Sequence, residues 1–172
     1  TKLPHLPKNN LNFILISDSG MKDAKHREIA SSAASFMAEI IMENKIGFVA
    51  VAGDPIHDNG VQGVEDPEWK FKLEDVFADK ALHSVPWHAV PGNHEYKGNP
   101  DALVEYSQVS RRWHTPARYY SMEKKLKRTK DEVLLVFLDT TPLVKKRRDL
   151  FPEKITPDYP QREMEWFDST LA

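Results

Sequence analysis

The 172-residue sequence predicts an α/β fold built on a parallel sheet, and two observations support this class. First, short continuous apolar runs at positions 11–17, 46–52, 85–90 and 133–138 are typical of strands that are buried on both faces. Second, apolar residues recur at helical spacing from about position 22 to position 44, between the first two runs. Strand, helix and strand in this order predict a βαβ unit with a right-handed crossover.

The remaining elements follow from the same patterns. Helices are predicted at 68–77, at 100–113 and from 161 to 171, and a short strand is predicted at 119–122. The run at 11–17 is expected to form a buried central strand. The run at 133–138 is expected to form another buried strand that ends at Asp139.

Composition excludes several classes of function. The chain is 40% hydrophobic and 29% charged with a net charge of −2, which argues against a disordered chain and against nucleic acid as a partner. No apolar run reaches the roughly 18 residues of a membrane span, so none is expected. Because the chain has no cysteine, any metal here must be held by oxygen and imidazole ligands.

Polar clusters follow the predicted strands. They read Asp-Ser-Gly at 18–20, Gly-Asp-Pro-Ile-His-Asp at 53–58, Gly-Asn-His-Glu at 92–95 and, more weakly, Leu-Asp-Thr-Thr at 138–141. In open α/β sheets the ligand crevice lies outside the carboxyl ends of the strands. We therefore expect four side chains to converge there: Asp18, Asp54, Asn93 and His94.

Two carboxylates, an amide oxygen and an imidazole suit manganese, iron or zinc. Asp54 is the best candidate to bridge a metal pair ~3.5–4 Å apart, because it follows the middle strand of the unit. A bridging role would also compensate the desolvation of its carboxylate. Such a pair favours phosphoester hydrolysis. Taken singly, Asp18 is equally typical of a helix N-cap, Asp54 of a turn start and Asn93 of a left-handed turn.

In this order, the clusters at 18–20, 53–58 and 92–95 resemble the first three motifs of the calcineurin-like metallophosphoesterases. They are most similar to those of the small, tartrate-resistant type of purple acid phosphatase. The likeness covers about residues 13–141 and includes the segments VPWHAVPGNHE and YSQVSRRWHTP. It implies an α/β/β/α sandwich, of which residues 1–172 supply the N-terminal, βαβ-containing portion of a single metallophosphoesterase domain.

The resemblance also implies roles for individual residues. Asp18 would bind a first, ferric ion, Asp54 would bridge both ions, and Asn93 would bind a second, divalent ion. His94 would contact the substrate phosphate and assist the leaving group, with Glu95 orienting it. The implied cofactors are two metal ions, iron paired with iron, zinc or manganese. No ligand role falls on Asp139, which is expected to be structural.

The sequence departs from the family pattern at two points. His57 stands where the family has its iron-binding tyrosinate, so the intense charge-transfer colour is expected to be absent. Imidazole binds iron, zinc and manganese, so His57 is a ligand, a hydrogen-bonded histidine beside the site or an exposed loop histidine. The last histidine is His114, so the histidine ligands of the family's later motifs would come from a second chain or from a missing C-terminal half.

The function implied is an acid phosphatase-like phosphomonoester hydrolase with a metal-bound hydroxide nucleophile and a small-molecule phosphoester substrate. One alternative is a phosphodiesterase or nucleotide pyrophosphatase of the same superfamily. Another is a non-catalytic relative with a degenerate metal site. Family resemblance alone implies a secreted or otherwise extracytoplasmic location.

Overall fold

The computed structural model describes residues 6–7, 10–20, 23–126 and 130–172. Its main elements are β1 (Ile14–Ile16), α1 (Ala24–Glu43), β2 (Val49–Ala52), α2 (Lys80–His83), β3 (Trp87–Val90), α3 (Ala102–Glu105), β4 (Tyr120–Lys125), β5 (Glu132–Phe137), α4 (Lys145–Arg148) and α5 (Tyr159–Leu171). The predicted α/β class is confirmed. Position 22, where the first helix was expected to begin, lies outside the described residues.

Strands β1, β2 and β3 form a parallel sheet in that order, so the predicted βαβ unit is present. Val49 of β2 lies opposite Ile14 of β1 on one side and Trp87 of β3 on the other. Helix α1 packs its buried residues Ala34, Met37 and Ala38 into the same apolar core as β2. Because the three strands are parallel, their carboxyl ends lie at one edge of the sheet.

Strand β1 is not the buried central strand that its apolar run predicts. It is the edge strand of this sheet, and the side chain of Leu15 is 64% exposed. The run predicts a buried strand because it is continuously apolar, but the side chain of Leu15 faces an open crevice shared with β5. Burial depends on a neighbouring layer, which the sequence of the strand itself does not encode.

The strand predicted at 133–138 is present, but its residues are exposed or half-buried rather than buried. It forms β5, which pairs antiparallel with β4 in a separate two-stranded sheet. Tyr120 faces Phe137 in this register, and their rings stack with centroids 4.6 Å apart. The cross-strand aromatic pair and the short connection from β4 favour a hairpin over a fourth parallel strand.

Two predicted helices are shorter or differently wound. The segment at 68–77 contains a π-helix, Trp69–Glu74, and the segment at 100–113 gives only α3 and the 3-10 turn Tyr106–Gln108. Trp113 instead bridges to Trp87 beside β3. The ring of Trp69 stacks on that of Tyr106 at 3.9 Å, so aromatic packing overrides the helical period here. None of the described helices is both long and apolar enough to cross a membrane.

Asp139 is buried at the end of β5, and its predicted structural role fits its contacts. Its carboxylate accepts hydrogen bonds from the hydroxyls of Tyr96 (2.5 Å) and Tyr159 (3.1 Å). Its backbone N–H donates to Glu163 of α5 (2.8 Å). Burial raises the pKa of Asp139 to about 6 and that of Glu163 to about 7. Helix α5 is thus fastened to the sheet through two buried carboxyl groups.

The raised pKa values of these two carboxyl groups predict that the stability of the fold depends on pH. The raised pKa of Glu163 means that its contribution to folding is complete below about pH 4.5 and is lost as the pH rises through about 7. In Glu163→Gln the amide cannot ionise. Between pH 5 and pH 8 the variant should therefore gain on the order of 1–3 kcal/mol in unfolding free energy relative to the wild type. Chemical denaturation at each pH measures this.

The matched control is Glu165→Gln, because Glu165 lies on the same helix and is exposed. Its difference from the wild type should not change with pH. A Glu163→Gln difference that stays constant from pH 5 to pH 8 would contradict the proposed titration.

Candidate metal centre

Three loops at the carboxyl ends of the parallel strands build the site. Asp18 follows β1, Asp54 follows β2 after Gly53, and residues 92–95 follow β3. The first loop is held to the second by two backbone hydrogen bonds, from Asp18 N–H to the Gly53 carbonyl (3.2 Å) and from Gly20 N–H to the Asp54 carbonyl (3.4 Å). The convergence expected of these strand ends is therefore present.

The side chain of Glu95 joins the second loop to the third. It is fully buried and accepts hydrogen bonds from the backbone N–H groups of Gly92 (2.8 Å), Asp54 (3.2 Å) and Ile56 (3.2 Å). Burial raises the pKa of Glu95 to about 8, and the N–H donors of Gly92 and Ile56 oppose that rise. Glu95 thus orients backbone of both loops, and the expectation that it orients the His94 ring is wrong.

The aspartates at the first two strand ends have an uncommon backbone conformation. Asp18 and Asp54 both have φ of 51°, in the left-handed region that non-glycine residues seldom occupy. The Asp54 carboxylate accepts the His94 N–H at 2.9 Å. Such residues persist only where their surroundings hold them, and they concentrate at functional sites.

His57 lies between these carboxylates and the His94 ring. Its Nε2 is 3.5 Å from an Asp18 carboxylate oxygen, and its ring centroid is 3.9 Å from that of His94. Both ring nitrogens are buried, and neither has a hydrogen-bond partner among the described residues. Burial, and then the neighbouring His94, lowers the pKa of His57, which favours the neutral imidazole that binds metals.

Ligand atoms of Asp54, His57 and His94 all lie within 4.8 Å of one another. Asp18 adjoins this group through His57. Asn93 lines a neighbouring cleft of about 300 Å³, together with Asp54, Thr140 and Thr141. The residues singled out in the sequence therefore lie in one region, and the individual ligand assignments stay predictions.

The chemistry of this donor set fits a divalent or trivalent cation. A buried imidazole without a partner costs free energy unless something occupies its lone pair. A cation beside Asp18, Asp54 and His57 would satisfy His57 and neutralise the carboxylates. The set contains oxygen and imidazole donors only, which suits iron, zinc or manganese.

Sequence reasoning missed three features of this site. Glu95 is expected from the sequence only to support His94, whereas its side chain joins two loops by accepting their backbone hydrogen bonds. Lys97, whose ammonium nitrogen lies 3.3 Å from His94 Nδ1, was not singled out, although a lysine three residues after a candidate catalytic histidine is a usable signal. Thr140 and Thr141 reach the cleft from the second sheet, and only the weak polar cluster at 138–141 pointed to them.

Comparison with known proteins gives a consistent family. The model of the calcineurin-like phosphoesterases matches residues 11–169. Tartrate-resistant acid phosphatase type 5 of Oryctolagus cuniculus is 32% identical over 166 residues, which are 94% of this chain and 50% of that protein. The Homo sapiens protein of the same name is 30% identical over 172 residues, 94% of this chain and 52% of that protein.

More distant likenesses agree. Purple acid phosphatase 4 of Arabidopsis thaliana is 29% identical over 140 residues, 80% of this chain and 38% of that protein. A solved structure of GAP50, described as the anchor in the inner membrane complex of Plasmodium, has a TM-score of 0.67 at 23% identity. It covers 82% of this chain and 47% of its own, and it supports the fold. The chain spans about half the length of the tartrate-resistant relatives that it matches.

Gly92 provides a test of the geometry around Asp54. A Cβ at position 92 would lie 2.1 Å from the Asp54 Oδ1 and 2.5 Å from the Asp54 backbone nitrogen, so Gly92→Ala must displace both that carboxylate and the backbone that carries it. We expect the affinity for Mn²⁺ or Zn²⁺, measured by calorimetry, to fall about 10- to 100-fold, as for other changes that disturb metal ligands indirectly. Gly63→Ala is the control, because a Cβ at position 63 meets nothing within 4 Å. Unaltered metal affinity in Gly92→Ala would exclude Asp54 from the site.

Proposed function

The chain belongs to the calcineurin-like phosphoesterase family, and on that premise we propose that the protein containing it is a metal-dependent phosphomonoester hydrolase of the acid phosphatase type. The substrate would be a small-molecule phosphoester. The activity is proposed for the whole protein, because the matched relatives are about twice as long as this chain.

One observation supports this proposal above the others. His57 is buried, and neither of its ring nitrogens makes a hydrogen bond within the part of the chain that the structure describes, although Nε2 is 3.5 Å from an Asp18 carboxylate oxygen. Its ligand atom lies within 4.8 Å of those of Asp54 and His94. A structural histidine would satisfy at least one nitrogen with a hydrogen bond. A metal ligand needs that lone pair free, so this arrangement favours a metal centre.

We assign the first metal to Asp18 and His57, the bridge to Asp54 and the second metal to Asn93. The pair would be iron with iron, zinc or manganese. When bound, it would supply an activated water nucleophile and positive charge for the phosphoryl oxygens. Replacement of an anionic tyrosinate by the neutral His57 lowers the negative charge of the first site, which favours a divalent over a ferric ion there.

His94 is assigned to the substrate. Its Nδ1 lies 2.5 Å from the Asp58 carbonyl oxygen, which accepts a hydrogen bond from it. This contact fixes the proton on Nδ1 and leaves Nε2 to donate to a phosphate oxygen or to the leaving group. The same Nε2 is the atom through which His94 would bind a metal instead, so the two roles exclude one another and are separable by experiment.

Two single substitutions, made separately in the full-length protein reconstituted with metal, test these roles. His94→Ala should keep its metal content while the turnover of an aryl phosphate falls about 10²- to 10⁴-fold. Asp54→Asn should lose metal and activity together, because the bridge loses its charge. Metal content by atomic emission and initial rates are the measurements.

The outcomes separate the competing interpretations. Loss of metal from His94→Ala would make His94 a ligand. Wild-type protein that holds less than one metal per chain after reconstitution would identify a non-catalytic relative.

We further propose that polypeptide beyond this chain completes the domain by covering β1. Apolar side chains lie open there: Phe13 is 42% exposed, and an apolar crevice of about 270 Å³ lies between the two sheets. The curated relatives possess about twice the length, which would provide such a layer. The same polypeptide, or a second chain, would bring the histidine ligands that the resemblance implies. The extracytoplasmic location stays a prediction.

Leu15 of β1 tests this covering layer. In the full-length protein, Leu15→Lys should lower the free energy of unfolding by about 2–4 kcal/mol, because a lysine would be buried without a partner. Val109→Lys is the control at a similarly exposed residue, 55% against 64%, and should stay within about 0.5 kcal/mol. Equal effects of the two substitutions would show that β1 remains open.

A further inference from the structure

Lys97 lies beside the histidine assigned to the substrate. Its ammonium nitrogen is 3.3 Å from His94 Nδ1 and donates a hydrogen bond to the Asp58 carbonyl oxygen at 3.0 Å. It belongs to the short 3-10 turn Glu95–Lys97, which follows His94 directly. The Asp58 carbonyl oxygen therefore accepts hydrogen bonds from two groups that can carry a positive charge, the His94 imidazole and the Lys97 ammonium group.

The charge of Lys97 is available for a ligand. The residue is exposed, and among the residues that the structure describes no carboxylate lies within 4 Å of its ammonium nitrogen. Lys72 gives the contrast, because it also donates to a carbonyl of this loop, that of His57, but pairs with Glu68 at 2.5 Å. Of these two lysines that reach the loop, Lys72 is neutralised and Lys97 is not.

This inference rests on the phosphoesterase activity proposed above. We propose that Lys97 binds the non-bridging oxygens of a phosphate monoester and thereby favours monoesters over diesters. A monoester carries close to two negative charges at neutral pH, whereas a diester carries one. An unpaired ammonium group 3.3 Å from the ring of the histidine assigned to the substrate, and outside the assigned metal ligands, would discriminate between the two esters by that extra charge. Lys97 is thus a specificity residue, and His94 keeps its own role.

Kinetics of the full-length, metal-loaded protein test this assignment. In Lys97→Met, kcat/KM for an aryl phosphate monoester should fall about three- to tenfold, mainly through KM, as for a solvent-accessible charged contact. The value for the matching aryl methyl phosphate diester should change by less than about twofold. Lys97→Arg should restore most of the monoester rate, because it keeps the charge.

Lys80→Met serves as the control, since Lys80 is an exposed lysine on α2 and its loss changes the net charge equally. It should leave both substrates unaffected. An equal fall for monoester and diester in Lys97→Met would overturn the proposal and make Lys97 structural, and an unchanged monoester rate would also overturn it.

A binding measurement separates this proposal from the proposed function. Inorganic phosphate is titrated calorimetrically into the wild type and into Lys97→Met, and the variant should bind about three- to tenfold more weakly. If the wild type hydrolyses neither ester, the hydrolase proposal fails while this result still decides whether Lys97 holds phosphate. Equal phosphate affinity of the two proteins would overturn the assignment of Lys97.

Discussion

The candidate site depends on one buried carboxyl group, that of Glu95. Its oxygens accept hydrogen bonds from the backbone N–H groups of Asp54 and Ile56 in one loop and of Gly92 in another. Two strand ends that are far apart in sequence therefore share a single acceptor group. A buried acceptor with several backbone donors over-determines the loop conformation. The left-handed backbone at Asp54 and the approach of Asp54 to the His94 N–H are maintained within that frame.

Much of this arrangement could be predicted from the sequence. Polar clusters that end apolar strands locate the candidate site, because parallel strands place their carboxyl ends together, and this argument singles out Asp18, Asp54 and Asn93 as candidate ligands. The partners of Glu95 could not be found, since a side chain that binds backbone N–H groups leaves no pattern in residue types. The pairing of β5 with β4 in a second sheet could not be predicted from the run at 133–138 either, because strand periodicity carries no information on which neighbour a strand selects.

The second sheet reaches the site through a buried network. Asp139 follows β5, and its carboxylate accepts a hydrogen bond from the hydroxyl of Tyr96, which lies in the turn after His94. Its backbone N–H donates a hydrogen bond to the side chain of Glu163 in α5. Thr140 and Thr141 follow directly and line the cleft beside Asn93. The network therefore sets the position of one wall of the cleft relative to the loops of the first sheet.

The left-handed conformation of Asp18 and Asp54 has a consequence for the evolution of this fold. Each such residue costs on the order of 1 kcal/mol or more relative to glycine, which adopts this conformation freely. Stability alone would therefore favour glycine at both positions, whereas the proposed cation binding requires the two carboxylates. On the proposed metal centre, a relative that lost its metals would no longer need these carboxylates, and glycine or asparagine at the two positions would then relieve the strained backbone.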